Sequence, residues 1–408
     1  RVSQGARTRC EYWRWAPRVS VTVIRAVRSV VKSERKALIL PGAGARGAYQ
    51  VGVLKAIATL LPRRAVNPFS VISGTSAGAI NAAVLASGAS QFALAVSEME
   101  RVWSNFEVHQ VYRSDSWTML RSSLHWLSAV VFGGLGVKNP LSLLDNQPLR
   151  ELLVKNINPQ NIERSIKAGH LDALAITASS YSSSRSVTFF QGDSSLKSWA
   201  RVKRFGKPTK IDIDHLMASS AVPFVFSPVK IGSDYFGDGA MRHGAPLSSA
   251  IHLGADRMLV IGVRNEHSDP EPNESIPADV PNLAHLAGYM LDTLFMDGLY
   301  SDLERLKRIN IMLEQLDHEL SGSIAQLRPL STLVIAPKED MRQVAARHVH
   351  ELPRAVRLLL RGLGAMNRDG MMLISYLLFE SGFTRELIDM GYRDAMEVED
   401  DLKAFPFD

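Results

Sequence analysis

Gly74-Thr75-Ser76-Ala77-Gly78 sets one serine among small residues, after the apolar run Phe69–Ser73 and before an alanine-rich helical pattern, Ala77–Ser87. A sharp strand-to-helix turn strains the backbone of its central residue and throws the hydroxyl clear of the sheet, so Ser76 is a candidate nucleophile. Side chains at 74 and 78 would collide with a neighbouring strand or helix, and glycine removes them. A helix N-terminus also favours an oxygen that becomes anionic. A Gly/Ser turn without chemistry is the plainer alternative.

A nucleophilic serine needs a base. His243, His252, His267, His285, His348 and His350 follow Ser76, but none has a distinctive setting, and most are expected to face solvent. Asp238 is sharper. In Tyr235-Phe236-Gly237-Asp238-Gly239-Ala240 it sits between glycines behind apolar residues, ahead of Pro246 and a helix beginning near Leu247. Burial in such a turn raises the basicity of a carboxylate, so Asp238 could take the serine proton directly. An ordinary Asp-Gly turn would look the same. On the residues alone, a Ser-Asp pair and a Ser-His-acid triad both stay open.

Gly42-Ala43-Gly44-Ala45-Arg46-Gly47 matches G-x-G-x-x-G between a strand and a helix. A dinucleotide site of that form also needs an acid about 20 residues on. Here no Asp or Glu occurs between Ala37 and Ser97, and Arg63 and Arg64 are the available substitutes for a phosphorylated ribose. The loop's small residues and helix N-terminus would equally well hold a developing oxyanion.

The elements that must position these groups alternate. Ala37–Leu40 is a strand, Ala48–Leu61 a helix, Phe69–Ser73 a strand and Ala77–Ser87 a helix, which indicates an α/β sheet covered by helices. Further strands are expected at Ala173–Ser179, Ser186–Gln191, Met258–Val263 and Leu333–Ala336. A Pro-rich exposed loop is expected over 265–282, then helical periodicity over Leu283–Leu320 with a break at Gly298. Everything beyond Glu339 reads as helical.

Composition narrows the function classes. The chain has 408 residues with 46% apolar residues, enough for a substantial core. Its one cysteine, Cys10, excludes a disulfide framework and Cys-based metal or iron–sulfur sites. Ten Lys/Arg against two Glu give residues 1–36 a net charge of +8, while the rest holds 37 basic against 39 acidic residues. A nearly neutral body argues against a nucleic-acid partner. The first methionine is Met99, so residues 1–36 are read as a basic leader or tail, native or upstream. Val19–Val31, broken by Arg25 and Arg28, is too short and charged to span a bilayer, though it would suit an anionic membrane surface.

Together, Gly42–Gly47, Gly74–Gly78 and Asp238-Gly239-Ala240 resemble the patatin-like phospholipases in order and spacing. The likeness continues in Arg46–Leu54, Ala218-Ser219-Ser220-Ala221-Val222-Pro223, Pro246-Leu247 and Leu253-Gly254-Ala255-Asp256-Arg257, covering about 37–265. The resemblance implies a three-layer helix–sheet–helix α/β fold with a mixed, largely parallel sheet and a helical C-terminal extension. It implies lipid ester hydrolysis by a Ser-Asp dyad through an acyl-enzyme, without metal or cofactor. Carried over, Ser76 is the nucleophile in an elbow of Gly74, Thr75, Ala77 and Gly78. Asp238 is the base in a turn with Gly239 and Ala240. The N–H groups around Gly42, Ala43 and Gly44 form the oxyanion hole, with Arg46 and Gly47 bracing the loop. Two positions depart from the family: Ala43 stands where a third consecutive glycine is usual, and Gly244 where Asn is frequent.

The domain division expected is 1–36 leader, 37–340 catalytic domain and 341–408 helical region. The partner expected is lipid or phospholipid, in the cytoplasm or at the inner face of a membrane. Peripheral contact is expected through 1–36 or through 117–137, where Trp117, Leu120, Leu124, Trp126 and Leu127 lead into a glycine-containing apolar stretch. That stretch reads as a lid or as core cover. Leu352, Val356, Leu359, Leu360 and Leu363 against Arg354, Arg357 and Arg361 give an amphipathic helix packed on the domain. Met371–Phe379 is too short to span a membrane and is expected in the core.

Overall fold

The computed structural model describes residues 34–113, 142, 144–264, 280–315, 328–367 and 370–405. The leader to residue 33, the 117–137 stretch, most of the Pro-rich loop (265–279) and the end of the long helical pattern (316–320) lie outside these residues.

Ala37–Leu40 is apolar without alternation, as a strand covered on both faces must be. It forms β1 (Lys36–Leu40), buried throughout and starting at Lys36. A 3₁₀ turn, Gly44–Arg46, opens α1 (Gly47–Leu60). Then come β2 (Val71–Thr75), α2 (Ala77–Ser87), α3 (Phe92–Trp103), α4 (Gln147–Asn156), α5 (Pro159–Lys167), β3 (Ala173–Ser180) and β4 (Ser186–Gly192). The middle of the chain adds β5 (Trp199–Arg201), β6 (Arg204–Pro208), α6 (Ile213–Ser219), β7 (Val229–Ile231), β8 (Asp234–Asp238), α7 (Ser248–His252) and β9 (Arg257–Ile261). After α8 (Leu283–Asp292), a π-helical turn (Thr293–Asp297) leads into α9 (Gly298–Gln315) and β10 (Ser331–Ile335). The chain closes with α10 (Met341–His348), α11 (Arg354–Gly362), α12 (Met371–Leu377), α13 (Ser381–Met396) and α14 (Glu399–Ala404).

The sheet order is β10-β9-β1-β2-β3-β4-β6-β5, with β8 paired to the end of β3 and β7 beyond it. β10, β9, β1, β2 and β3 are mutually parallel, while β4, β5, β7 and β8 enter through antiparallel pairs. Alternate residues of β1 face opposite cores. Leu38 and Leu40 join α1, α2 and α13 on one side, and Ala37 and Ile39 join α7 and α9 on the other. The result is the expected mixed, mostly parallel sheet between helical layers.

Two expectations shift. The second strand starts at Val71 rather than Phe69, because Asn67 captures the Phe69 backbone: its Nδ2 donates to the Phe69 carbonyl at 2.6 Å. The break expected at Gly298 is the five-residue π turn just before it. Four strands, β5 to β8, have no counterpart among those expected from the sequence. They are short, and β5, β6 and β7 are largely solvent-exposed at the sheet margin, so they carry little apolar patterning.

The C-terminal helices are integral. All described residues belong to one compact unit. α13 lies against α1 so closely that a Cβ at Gly52 would meet the Ile388 carbonyl oxygen at 2.0 Å, and one at Gly391 the Tyr49 carbonyl oxygen at 2.3 Å. Among the described residues, no helix is long and apolar enough to cross a membrane.

Candidate active site

Ser76 lies at the carboxyl end of β2 as the residue preceding α2, with φ 54° and ψ −128°. A non-glycine residue in that region stores on the order of 1–3 kcal/mol of strain, which surrounding structure must hold. The hold is visible. Ser76 N–H donates to Ser219 Oγ at 2.9 Å, and that hydroxyl donates to the Thr177 carbonyl on β3 at 2.6 Å. The Ser76 carbonyl accepts from Ala79 and Ile80. A Cβ at Gly74 would meet the Gly78 carbonyl at 2.4 Å, and one at Gly78 the Leu40 carbonyl at 2.1 Å, so only glycines let the turn pack this tightly.

Asp238 ends β8 and is 2% exposed. Its N–H donates to the Ala221 carbonyl at 2.8 Å, and its Oδ1 accepts from Ala240 N–H at 2.9 Å. Oδ2 is buried without a partner of normal hydrogen-bond geometry. The Ser76 hydroxyl is near enough to favour the charged carboxylate, as is the Ala240 N–H, but burial outweighs both and pushes the Asp238 pKa up to about 7. A carboxyl with one free oxygen beside a strained serine can exchange a proton with it.

The segment Ser219–Ala221, noticed in the sequence without a role, bonds to both residues: Ser219 to Ser76, Ala221 to Asp238. Sequence position gave no sign of this, because the contacts span up to 143 residues.

Gly42-Ala43-Gly44 borders Ser76: a Cβ on Gly42 would stand 3.4 Å from the Ser76 Cβ. Ala43 adopts a negative φ of −148°, while the positive φ of 52° falls on Gly44. The alanine in place of a third glycine therefore avoids the position that needs a left-handed backbone. Within the described residues, no hydrogen bond uses the N–H of Gly42 or Ala43, which leaves them as donors for a ligand. Arg46 is turned inward and 2% exposed. It donates from Nε and Nη2 to Ser375 Oγ at 3.0 and 2.7 Å, and from Nη1 to Tyr376 Oη at 2.9 Å and Asp292 Oδ1 at 3.3 Å. Its guanidinium also stacks 3.8 Å from the Tyr376 ring centre. Arg264 meets the other oxygen of Asp292 at 2.8 Å. Loop, π turn and C-terminal helices are thus clamped to one buried charge cluster.

Beside Ser76 lies an apolar pocket bordered by Gly44, Ile80, Trp103, Phe226, Phe295 and Phe379 among others. Glu98 is the one charged side chain among its described lining residues. With Arg46 pointing away, this loop offers a pyrophosphate no cation, against the dinucleotide alternative.

The histidines differ from expectation. Of the described candidates among the six named in the sequence, only His350 is exposed; His252, His285 and His348 are half-buried and His243 is buried. His243 Nδ1 lies 3.2 Å from Thr75 Oγ1, and burial lowers its pKa to about 4. Among the described residues, no histidine bonds to Ser76 or Asp238.

A family model described as patatin-like phospholipase matches residues 38–251. VipD from Legionella pneumophila is 12% identical over 90% of this chain and 67% of that one, with a TM-score of 0.35. The type III effector protein ExoU is 14% identical over 84% and 78%, with a TM-score of 0.22. Scores this low leave the fold to stand on its own geometry. No curated protein matches the chain.

Proposed function

The chain belongs to the patatin-like phospholipase family and is a lipid ester hydrolase; from that premise we propose that it is an acyl hydrolase of the phospholipase A or lysophospholipase type, acting through Ser76 and Asp238. The observation that carries this reading is the unpartnered Oδ2 of a buried Asp238, with a pKa of about 7, beside the strained Ser76.

Asp238 takes the Ser76 proton as Oγ attacks the ester carbonyl carbon. The carbonyl oxygen becomes an oxyanion held by N–H groups of the 42–44 loop. Collapse breaks the bond to the leaving alcohol, which leaves with the proton from Asp238, and the acyl group stays on Ser76. A water then gives its proton to Asp238, attacks the acyl carbon and frees the fatty acid, and the proton returns to Ser76. Each oxyanion donor is worth about 3 kcal/mol of barrier. The acyl chain occupies the apolar pocket beside Ser76.

The catalytic unit we assign begins at β1 and includes the C-terminal helices, because Arg46 is held by Ser375 and Tyr376. A lipid panel read by mass spectrometry, with Ser76→Ala as blank, tests the reading. Ser76→Ala and Asp238→Asn should each lower kcat/KM by about 10³-fold or more, and a fluorophosphonate should label wild type but not Ser76→Ala. Full activity in Asp238→Asn, with loss in His243→Ala, would replace the dyad by a His-dependent mechanism.

A further inference from the structure

Helix α8 carries an apolar stripe on its outer side. Leu283, Leu286, Tyr289 and Met290 are each at least half exposed, while Ala284, Gly288, Leu291 and Asp292 on the other side are buried. At 100° per residue the four exposed positions fall within one third of the helix circumference. The inner side of this helix reaches the catalytic pocket: Leu291 lines it, as does Phe295 of the π turn that follows. The outer stripe is thus one helix thickness from the space beside Ser76.

The next surface helix supplies charge. α11 ends against the start of α8, with Ala284 N–H donating to the Leu363 carbonyl at 3.1 Å and Asn282 Nδ2 to the Gly364 carbonyl at 3.2 Å. Arg354, Arg357 and Arg361 share one face of α11 with Leu358, which is 70% exposed. Neither helix bears an acid on its outer face. The one acid in the two, Asp292, is buried on Arg46 and Arg264. Apolar side chains beside a purely basic helix face match a surface that is greasy below and negative above.

We propose that the outer faces of α8 and α11 form the surface by which this protein docks on a bilayer containing anionic phospholipid, with the apolar stripe of α8 entering the headgroup–acyl boundary. The choice of a lipid surface over another partner rests on the lipid-hydrolase reading and on the continuity of α8 with the pocket. Docking there brings the pocket wall to the membrane from which a substrate chain must leave.

The test uses the full chain and co-sedimentation with phosphatidylcholine vesicles, with and without a minor fraction of phosphatidylglycerol. Leu283→Ser/Leu286→Ser/Tyr289→Ser should weaken partition onto both by on the order of ten-fold. Arg354→Gln/Arg361→Gln should remove the preference for phosphatidylglycerol, and added salt should do the same in wild type. Turnover of a soluble short-chain ester should stay unchanged in both variants, which shows that they fold. Unchanged vesicle partition in the triple variant, with soluble turnover intact, would overturn the docking surface and leave the hydrolase reading standing. Loss of partition in a protein that cleaves no lipid ester would do the reverse. A wild-type dimer in sedimentation velocity that the triple variant abolishes, with vesicle partition unchanged, would assign the face to a second copy instead.

Discussion

At Asp238, stability and the proposed base role pull in opposite directions. Its folded pKa of about 7 lies above an unfolded value of about 3.9, so between those limits the folded protein keeps a proton that the unfolded chain has released. The stability this contributes is complete below pH about 4 and is lost as pH rises through about 7. Roughly three pK units at 1.4 kcal/mol each make the total on the order of 4 kcal/mol. Asp238→Asn removes the titration, so its melting temperature should exceed that of wild type by more at pH 8 than at pH 5, as calorimetry would register. The proposed mechanism needs the charged form, because Asp238 takes a proton from Ser76. Wild-type kcat/KM should therefore climb with pH and level off above about 7, and a profile already flat from pH 5 would show that the base is a different group. At this scale the sequence was informative where chemistry is local. The strain at Ser76 follows from Gly74 and Gly78, and the Asp238 turn from Gly237 and Gly239. Ser219 was not legible, because its hydroxyl becomes a staple only when α6 meets β2 and β3. Nor was the burial of His243, which depends on its packing at Thr75.

Helix α2 both ends the Ser76 turn and walls the pocket proposed to take the acyl chain. Ser76, Ile80 and Val84 follow its length along the pocket, and at Val84, Glu98, Asn156 and Ile157 the same residues border a second, more polar groove that reaches the surface. Eight residues of helix advance about 12 Å, on the order of ten methylene groups. Longer chains must pass Val84. Val84→Trp should accordingly lower kcat/KM at least about ten-fold for acyl chains beyond that length while sparing short ones, and chain-length profiles on a homologous ester series would reveal it. The 3₁₀ turn before α1 gives a second element-scale consequence. Ser375 accepts two of the Arg46 hydrogen bonds, so Ser375→Ala leaves buried charged donors without an acceptor, at a cost of about 1–3 kcal/mol. Because the displaced element carries the proposed oxyanion donors, kcat should fall about ten-fold with KM little changed. An effect on melting temperature alone would mean that the clamp serves only the fold. The bounds of α2 were readable, since an alanine-rich run meets a helix-ending glycine at Gly88. β5 and β6, at the sheet margin with exposed and charged residues, left no periodic signal to read.

Across the whole molecule, the sequence sets off a helical region after residue 340, and the structure packs its helices into one compact unit with the sheet. The difference lies in contacts between residues hundreds of positions apart. Gly52 and Gly391 admit α1 and α13 to backbone contact, Tyr49 Oη donates to Asp394 at 3.0 Å, and Arg46 reaches Ser375 and Tyr376. A glycine inside each of two helical patterns was the available signal, but sequence alone does not pair them. Such a pairing has a direct consequence for truncation. A chain ending at Ile335 would strip one face of α1, exposing Tyr49, Val53 and Ile57, and would leave Arg46 and Asp292 without Ser375 and Tyr376. Burying several large side chains contributes roughly 1.5–3 kcal/mol each, and the net stability of a domain is only about 5–15 kcal/mol. The truncated protein should therefore lose cooperative thermal unfolding and fluorophosphonate labelling of Ser76 together, although every motif from Gly42 to Ala240 remains. Supplying residues 336–408 as a separate chain should restore labelling in proportion to its concentration, since the docking of α13 on α1 then becomes bimolecular. A truncated chain that melts sharply and labels at the wild-type rate would show that the sheet and its first helices suffice, and that the C-terminal helices only cover them.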